Sequence, residues 1–145
     1  NRFKKSKIFV AAEVNNVNDK DAVQKIMELT HQKGIDLSIE TAGTEITSRQ
    51  AIKVAKKGST IVFVGYSKSG EITLPMSMAL DKELTFKTVF RYRHIYPVAI
   101  DAVSSGKVNL KGVVTNVYDF DDIQRAMDES VHNKNTVVKS VIKII

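Results

Sequence analysis

The sequence predicts an α/β fold with a parallel sheet and helices packed on it. Strand-like and helix-like segments alternate as far as Pro97, and this alternation is typical of right-handed βαβ units. The run TIVFV, Thr60–Val64, is apolar throughout. A strand that is hydrophobic on both faces is what a parallel sheet covered by helices requires.

A change in hydrophobic period indicates the first helix and the first strand. Apolar residues over 22–30 share one helical face, with Asn18 or Asp19 as the expected N-cap and Gly34 as the stop. Apolar and polar residues then alternate over 35–39, which predicts a strand.

A second helix is expected after Gly43 and is predicted to end at Lys56, Lys57 and Gly58. Two lysines suit the negative end of a helix dipole. The strand over 60–64 follows directly. The residues predicted to face inward from this helix are Ile46, Ala51, Ile52, Val54 and Ala55.

The second half of the chain is predicted to contain three helices and three strands. The helix after Asp119 carries Ile123, Ala126, Met127 and Val131 on one face, and Asp119 is its expected cap. Residues 3–14 fit either the tail of a helix followed by a strand, or mostly strand. In chain order the segments are a short helix over 76–80, a strand over 84–89, a helix over 97–105, a strand over 113–118, the helix after Asp119 and a strand in VVKSVIKII.

Composition favours an ordinary globular protein. The net charge is +6, but lysine and arginine are spread along the chain rather than interleaved with aromatic residues in a basic helix, so we expect a solvated basic surface and no nucleic-acid partner. No apolar run is long enough for a membrane span. The chain has no cysteine, which excludes disulfides and cysteine-ligated metals, and we expect a cytoplasmic protein.

The glycine pattern limits what the residues alone can say about function. The glycines form neither GxGxxG nor GxxxxGK, so the chain has no phosphate loop of its own at a helix N-terminus. Composition and spacing therefore predict a parallel α/β protein without a stated activity. The seven glycines lie at positions 34, 43, 58, 65, 70, 106 and 112.

A resemblance to a known protein family indicates an activity, which residue spacing alone does not. The segments IETAG, GSTIVFVGYSKSG and LTFKTVFRYRHIYPVAIDAVSSGKV, in this order, resemble the C-terminal portion of the zinc-dependent medium-chain alcohol dehydrogenases. Within that family the block Val89–Tyr92, followed by Pro97, is most similar to the sorbitol or polyol (L-iditol) dehydrogenase branch. The resemblance extends over almost the whole chain.

The resemblance implies a division of the chain and a set of coenzyme-binding positions. Residues 1–96 would be the C-terminal part of the NAD(P)-binding Rossmann domain, and residues 97–145 would partly complete the catalytic domain. The glycine fingerprint and the zinc-binding domain of the family precede the position of Asn1. The residues expected to contact NAD or NADP, with NAD favoured, are Arg2, Thr41, Ala42, Gly43, Val64, Gly65, Tyr66, Val89, Phe90 and Arg91.

The resemblance also implies a substrate end. Arg91 and Tyr92 resemble the pair that, in polyol dehydrogenases, reaches substrate or cofactor oxygens. No catalytic residue and no metal ligand is expected in this chain, because the zinc ligands would lie outside it. The isolated chain is therefore expected to be inactive, and the complete enzyme is expected to be a homo-oligomer acting on a small polyol.

Two positions depart from the family pattern, and two other functions stay open. Thr115-Asn116 replaces a sequence that usually reads Thr-His, and Tyr66 is bulkier than the usual residue after Gly65. The chain could instead belong to a threonine or general alcohol dehydrogenase of the same family. It could also be an α/β interaction module without a cofactor, whose strand-end residues are structural.

Overall fold

The computed structural model describes residues 11–15, 21–133 and 135–144, and these fall into two units. One unit spans Asn15–Arg93, and the other combines His94–Ile145 with the beginning of the chain. Each unit contains its own parallel sheet. The expected α/β fold with parallel sheets is confirmed. Residues 1–10, which include Arg2 and most of the segment 3–14 expected to be helix or strand, lie outside the described part.

The first unit alternates helices and strands in chain order. Its elements are α1 (Ala22–Leu29), β1 (Ile35–Glu40), α2 (Glu45–Val54), β2 (Ala55–Phe63), α3 (Met76–Asp81) and β3 (Thr85–Thr88). The strands form one sheet in the order β1-β2-β3, and both pairings are parallel. Leu37 pairs with Thr60, and Ile61 pairs with Phe86. The carboxyl ends of all three strands therefore lie at the same edge of the sheet.

Helix α2 covers one face of this sheet. Ile52 of α2 and Ile61 of β2 are fully buried, and three alanines complete the buried cluster. Phe63 and Phe86 pack against this cluster. Their two rings meet edge to face, with centroids 5.5 Å apart. Small residues at the contact allow the helix to approach the strands closely. The alanines of the cluster are Ala51, Ala55 and Ala79.

The other face of β1 is uncovered in the described structure. Leu37 is 56% exposed and Ile39 is 60% exposed, whereas Glu40 is only 4% exposed. The alternation over 35–39 correctly predicted a strand. The apolar members of that alternation, however, do not lie on the face that α2 covers, and a carboxylate is buried at the strand end instead.

Two helix boundaries differ from the sequence expectations. The N-cap of α1 is Asp21, whose carboxylate accepts a hydrogen bond from the backbone N–H of Gln24. The expected caps, Asn18 and Asp19, lie outside the described residues. Helix α2 ends at Val54, and Ala55 already belongs to β2. The expected helical Lys56 and Lys57 therefore lie in a strand.

A lysine distant in sequence donates hydrogen bonds to the backbone carbonyls at the C-terminal end of α2. The ammonium of Lys82 donates hydrogen bonds to the backbone carbonyls of Ile52 (3.1 Å), Lys53 (2.8 Å) and Ala55 (2.9 Å). Partial burial lowers the pKa of Lys82 below its ordinary value. A lysine was expected at the C-terminal end of this helix. The lysine whose ammonium binds the carbonyls there is Lys82, and not Lys56 or Lys57.

Side-chain orientation also differs at Ile46. It was expected to face inward from α2, but it is 69% exposed. Ser48 lies fully buried on the same helix. The face of α2 that packs on the sheet is thus set by Ser48, Ala51, Ile52 and Val54.

The second unit contains a helix, a two-stranded sheet and a helix packed on that sheet. Its elements are α4 (Tyr96–Ser104), β4 (Asn116–Asp119), a 3₁₀ turn (Phe120–Asp122), α5 (Ile123–His132) and β5 (Ser140–Lys143). Strands β4 and β5 pair in parallel, and α5 packs on both. The expected strand over 113–118 is shorter and begins at Asn116.

The buried residues of this unit are few. Tyr118, Ala126 and Val137 are buried, whereas Met127 and Val131 of α5 are more than half exposed. The Tyr118 hydroxyl donates a hydrogen bond of 2.7 Å to Glu129 Oε2. This bond raises the pKa of Tyr118 above its ordinary value. Asp119 caps the 3₁₀ turn rather than α5 and makes no side-chain capping bond.

Candidate functional site

Three short segments leave the sheet at the same edge. Residues 41–43 follow β1, residues 64–66 follow β2, and residues 89–91 follow β3. The carbonyl oxygen of Glu40 accepts hydrogen bonds from Val64 N (2.8 Å) and Gly65 N (3.0 Å). The carbonyl oxygen of Phe63 accepts one from Val89 N (3.0 Å). The carboxyl edge of such a sheet is where ligands bind in open parallel α/β folds.

The first two segments touch through their glycines. A Cβ atom added to Gly43 would lie 2.6 Å from the carbonyl carbon and 2.7 Å from the nitrogen of Tyr66. A Cβ atom on Gly65 would lie 2.6 Å from Gly43 Cα. Gly43 also has a φ of +66°, a backbone conformation that favours glycine. Two separate constraints therefore require glycine at position 43.

The second and third segments line an open groove of about 700 Å³. The ring centroids of Tyr66 and Phe90 lie 6.3 Å apart on its wall, and both side chains are largely exposed. A groove of this volume, with aromatic walls and one cation, is typical of a site for a small organic ligand. The lining residues are Phe63, Val64, Gly65, Tyr66, Thr88, Val89, Phe90 and Arg91.

Arg91 supplies the positive charge of this groove. Its Cζ lies 5.0 Å from the centroid of the Phe90 ring, a cation–π contact that positions the guanidinium. Its φ of +51° places it in the left-handed region, which is uncommon for a residue with a side chain. Strained backbone of this kind concentrates at ligand-binding sites. The ion pairs formed among the described residues do not include Arg91.

The other coenzyme- and substrate-binding residues expected from the sequence do not line the large groove in the described structure. Thr41 and Ala42 line a smaller pocket of about 180 Å³ beside β1, together with Thr47 of α2. Tyr92 directly follows Arg91 and is 63% exposed. Arg2 lies outside the described residues. The structure thus brings together the three strand-end segments, and their roles toward a ligand stay a prediction.

Sequence reasoning missed Glu40 as a residue of the site. Its carboxylate accepts hydrogen bonds from Ala42 N (2.8 Å) and Thr47 Oγ1 (2.7 Å), and from Gly43 N at 3.0 and 3.1 Å. It is 4% exposed. The available signal was an acidic residue at a strand end, followed by a turn with free backbone N–H groups.

The described residues do not fit a zinc site. They contain no group of three or more histidine, aspartate or glutamate side chains placed to hold a metal ion, and the sequence has no cysteine. The expectation that this chain supplies no zinc ligand stays a prediction.

Within the described part of the chain, no helix combines the length and apolar character that crossing a membrane demands.

Comparison with known proteins agrees with the geometry of the sheet. Residues 1–105 match the family described as zinc-binding dehydrogenase. The chain is 30% identical to the sorbitol dehydrogenase of Bacillus subtilis over 141 residues, covering 97% of this chain and 40% of that protein. It is 40% identical over 113 residues to the D-xylulose reductase of Saccharomyces cerevisiae, covering 77% of this chain and 32% of that protein.

A solved structure shows the same fold over almost the whole chain. An Escherichia coli oxidoreductase/dehydrogenase of unknown specificity superposes with a TM-score of 0.90 at 37% identity, covering 99% of this chain and 41% of that one. The chain therefore belongs to the zinc-binding dehydrogenase family, and the family resemblance found in the sequence is confirmed. The chain spans about two fifths of the length of the Bacillus subtilis and Escherichia coli relatives.

We expect Gly43→Ala to destabilise the protein more than Gly70→Ala. Both glycines have positive φ, +66° and +79°, so each alanine costs about 1–2 kcal/mol of left-handed strain. Only at Gly43 would the new Cβ overlap the Tyr66 backbone, since nothing lies within 4 Å of the Gly70 position. Overpacking of this kind adds about 1–3 kcal/mol. Urea unfolding of the two variants measures the difference, and equal losses of stability would refute the close approach.

Proposed function

We propose that the chain is the C-terminal, coenzyme-binding portion of a zinc-dependent, NAD(P)-linked dehydrogenase that oxidises a polyol or secondary alcohol to a ketone. The observation that carries this proposal is the convergence of three strand-end segments on one edge of a parallel sheet in a member of this family. The names of the relatives support a polyol as substrate. NAD is favoured over NADP by the resemblance to the polyol branch.

The groove between residues 64–66 and 89–91 would receive the reactive end of the dinucleotide. Its apolar and aromatic walls suit a planar ring, and we expect backbone groups of the two segments to hold the carboxamide of that ring. The pocket at Thr41 and Ala42 would lie toward the adenosine end. When bound, the nicotinamide would accept a hydride from the alcohol carbon. The chain's own part is to bind and orient that ring.

Arg91 and Tyr92 would act at the substrate side of the groove. A guanidinium presents a fixed fork of donors, which suits several hydroxyl or phosphate oxygens at once. Arg91 is exposed, and its contact with Phe90 places the guanidinium at the groove. The zinc ligands would be supplied elsewhere in the complete enzyme, so the 145-residue chain alone should not turn over substrate.

The complete enzyme should change the fluorescence of NADH on binding and should reduce NAD with sorbitol or xylitol. The 145-residue chain, assayed in parallel, should show no turnover. Preference for threonine or a simple alcohol in the same panel would favour another branch of the family. Absence of any NADH binding by the complete enzyme would leave the interaction module as the better explanation.

Arg91→Lys should raise the KM for the polyol or for the coenzyme about tenfold, because an ammonium keeps the charge but loses the fork of donors. Arg93→Lys is the matched control, since Arg93 lies two residues away and does not line the groove. Steady-state kinetics of both variants measure the effect. Unchanged KM values for both ligands in Arg91→Lys would remove Arg91 from the proposed site.

A cytoplasmic location and a homo-oligomeric state complete the proposal. Within the described sheet, β1 is an edge strand, and Leu37 and Ile39 are exposed on its uncovered face. An exposed apolar edge promotes strand pairing between copies. We therefore expect the isolated 145-residue chain to self-associate and Ile39→Lys to reduce this association. Sedimentation velocity tests it, and a monodisperse unsubstituted monomer would contradict it.

A further inference from the structure

We propose that Glu40 is a positioning residue for the coenzyme groove and fixes the glycine contact on which the groove is built. The inference rests on the proposed function, because it concerns the same groove. Glu40 does not line the large groove itself, although it is among the residues around the smaller pocket at Thr41 and Ala42. It acts on the two segments that pack behind and along the groove wall.

The Glu40 side chain organises the turn that follows β1. Its carboxylate accepts hydrogen bonds from the backbone N–H groups of Ala42 and Gly43, at 2.8 and 3.0 Å for Oε1. The hydroxyl of Thr47, in the first turn of α2, donates to the same oxygen at 2.7 Å. One buried carboxylate therefore ties the end of β1 to the turn and to the start of α2.

The Glu40 backbone organises the segment that follows β2. Its carbonyl oxygen accepts hydrogen bonds from Val64 N (2.8 Å) and Gly65 N (3.0 Å). A Cβ atom on Gly65 would lie 2.7 Å from Glu40 Oε2, so the side chain also fills the space beside this glycine. The same residue thus sets both partners of the contact between Gly43 and residues 65–66.

The chemistry of these contacts calls for an acceptor at every position. All the groups that reach the Glu40 carboxylate are donors: two backbone N–H groups and one hydroxyl. A carboxylate buried without such partners would be unfavourable, whereas charge-assisted hydrogen bonds to backbone N–H groups are short and strong. A glutamine of the same size would lack the negative charge, and its NH₂ group in the place of Oε2 would face the N–H of Gly43.

A misplaced turn would be felt in the groove because Gly43 lies against the backbone of Tyr66. Tyr66 and Phe90 form the aromatic wall, and their contact depends on where the 64–66 segment lies. A shift of the turn after β1 removes the support behind that segment. The expected consequence is weaker coenzyme binding by a protein that remains folded.

The test compares Glu40→Gln with Asp36→Asn in the complete enzyme. Asp36 is the other acid of β1, and it makes only an exposed ion pair with Lys56 (2.8 Å). We expect Glu40→Gln to raise the Kd for NADH and the KM for NAD about tenfold. The hydrogen bonds to the side chain lose their charge, and the NH₂ group that replaces Oε2 faces the N–H of Gly43. The kcat at saturating NAD should stay within about twofold, since binding is lost rather than the reactive geometry. Asp36→Asn should leave all three values unchanged.

A second pair of variants keeps the inference testable if Glu40→Gln does not fold. Thr47→Val removes the hydroxyl donor to Glu40, and Thr47→Ser retains it. Weaker NADH binding in Thr47→Val, restored in Thr47→Ser, supports the inference. Wild-type affinity in Glu40→Gln or in Thr47→Val, measured well below the unfolding temperature, overturns it. Failure of the unsubstituted enzyme to bind NADH would instead overturn the proposed function.

Discussion

The parallel pairing of β1, β2 and β3 is the constraint on which the candidate site depends. Parallel strands must all end at one edge, so three segments far apart in sequence become neighbours there. The segments that follow the three strands therefore all begin at this edge of the sheet. Hydrogen bonds from Glu40 and Phe63 carbonyls to the next segments carry this order beyond the last residue of each strand.

The carboxyl edge combines tight and open packing. Between the first and second segments, backbone meets backbone at Gly43 and Gly65, and no side chain could fit there. Between the second and third segments the large side chains of Tyr66 and Phe90 project outward and leave a groove. A rigid support on one side and an adaptable aromatic wall on the other suit a site that must hold a planar ring in one orientation.

Much of the fold and part of the site could be predicted from the sequence. Hydrophobic period and glycine positions gave the order of most elements, because these signals are local and each is read within a few residues. The three strand-end segments could be named from the resemblance and from the rule that parallel sheets bind at their carboxyl edge. Their contact distances could not, because these depend on how closely Gly43 approaches Tyr66 in space.

The sequence by itself determined the element types, the parallel α/β class and membership of the dehydrogenase family. Only the tertiary structure decided that Glu40 is buried while Leu37 and Ile39 are exposed, and that Lys82 completes the end of α2. The reason is that a repeating pattern records which residues share a face, but not which face another element covers. Long side chains likewise find partners some thirty residues away, and no local pattern encodes that reach.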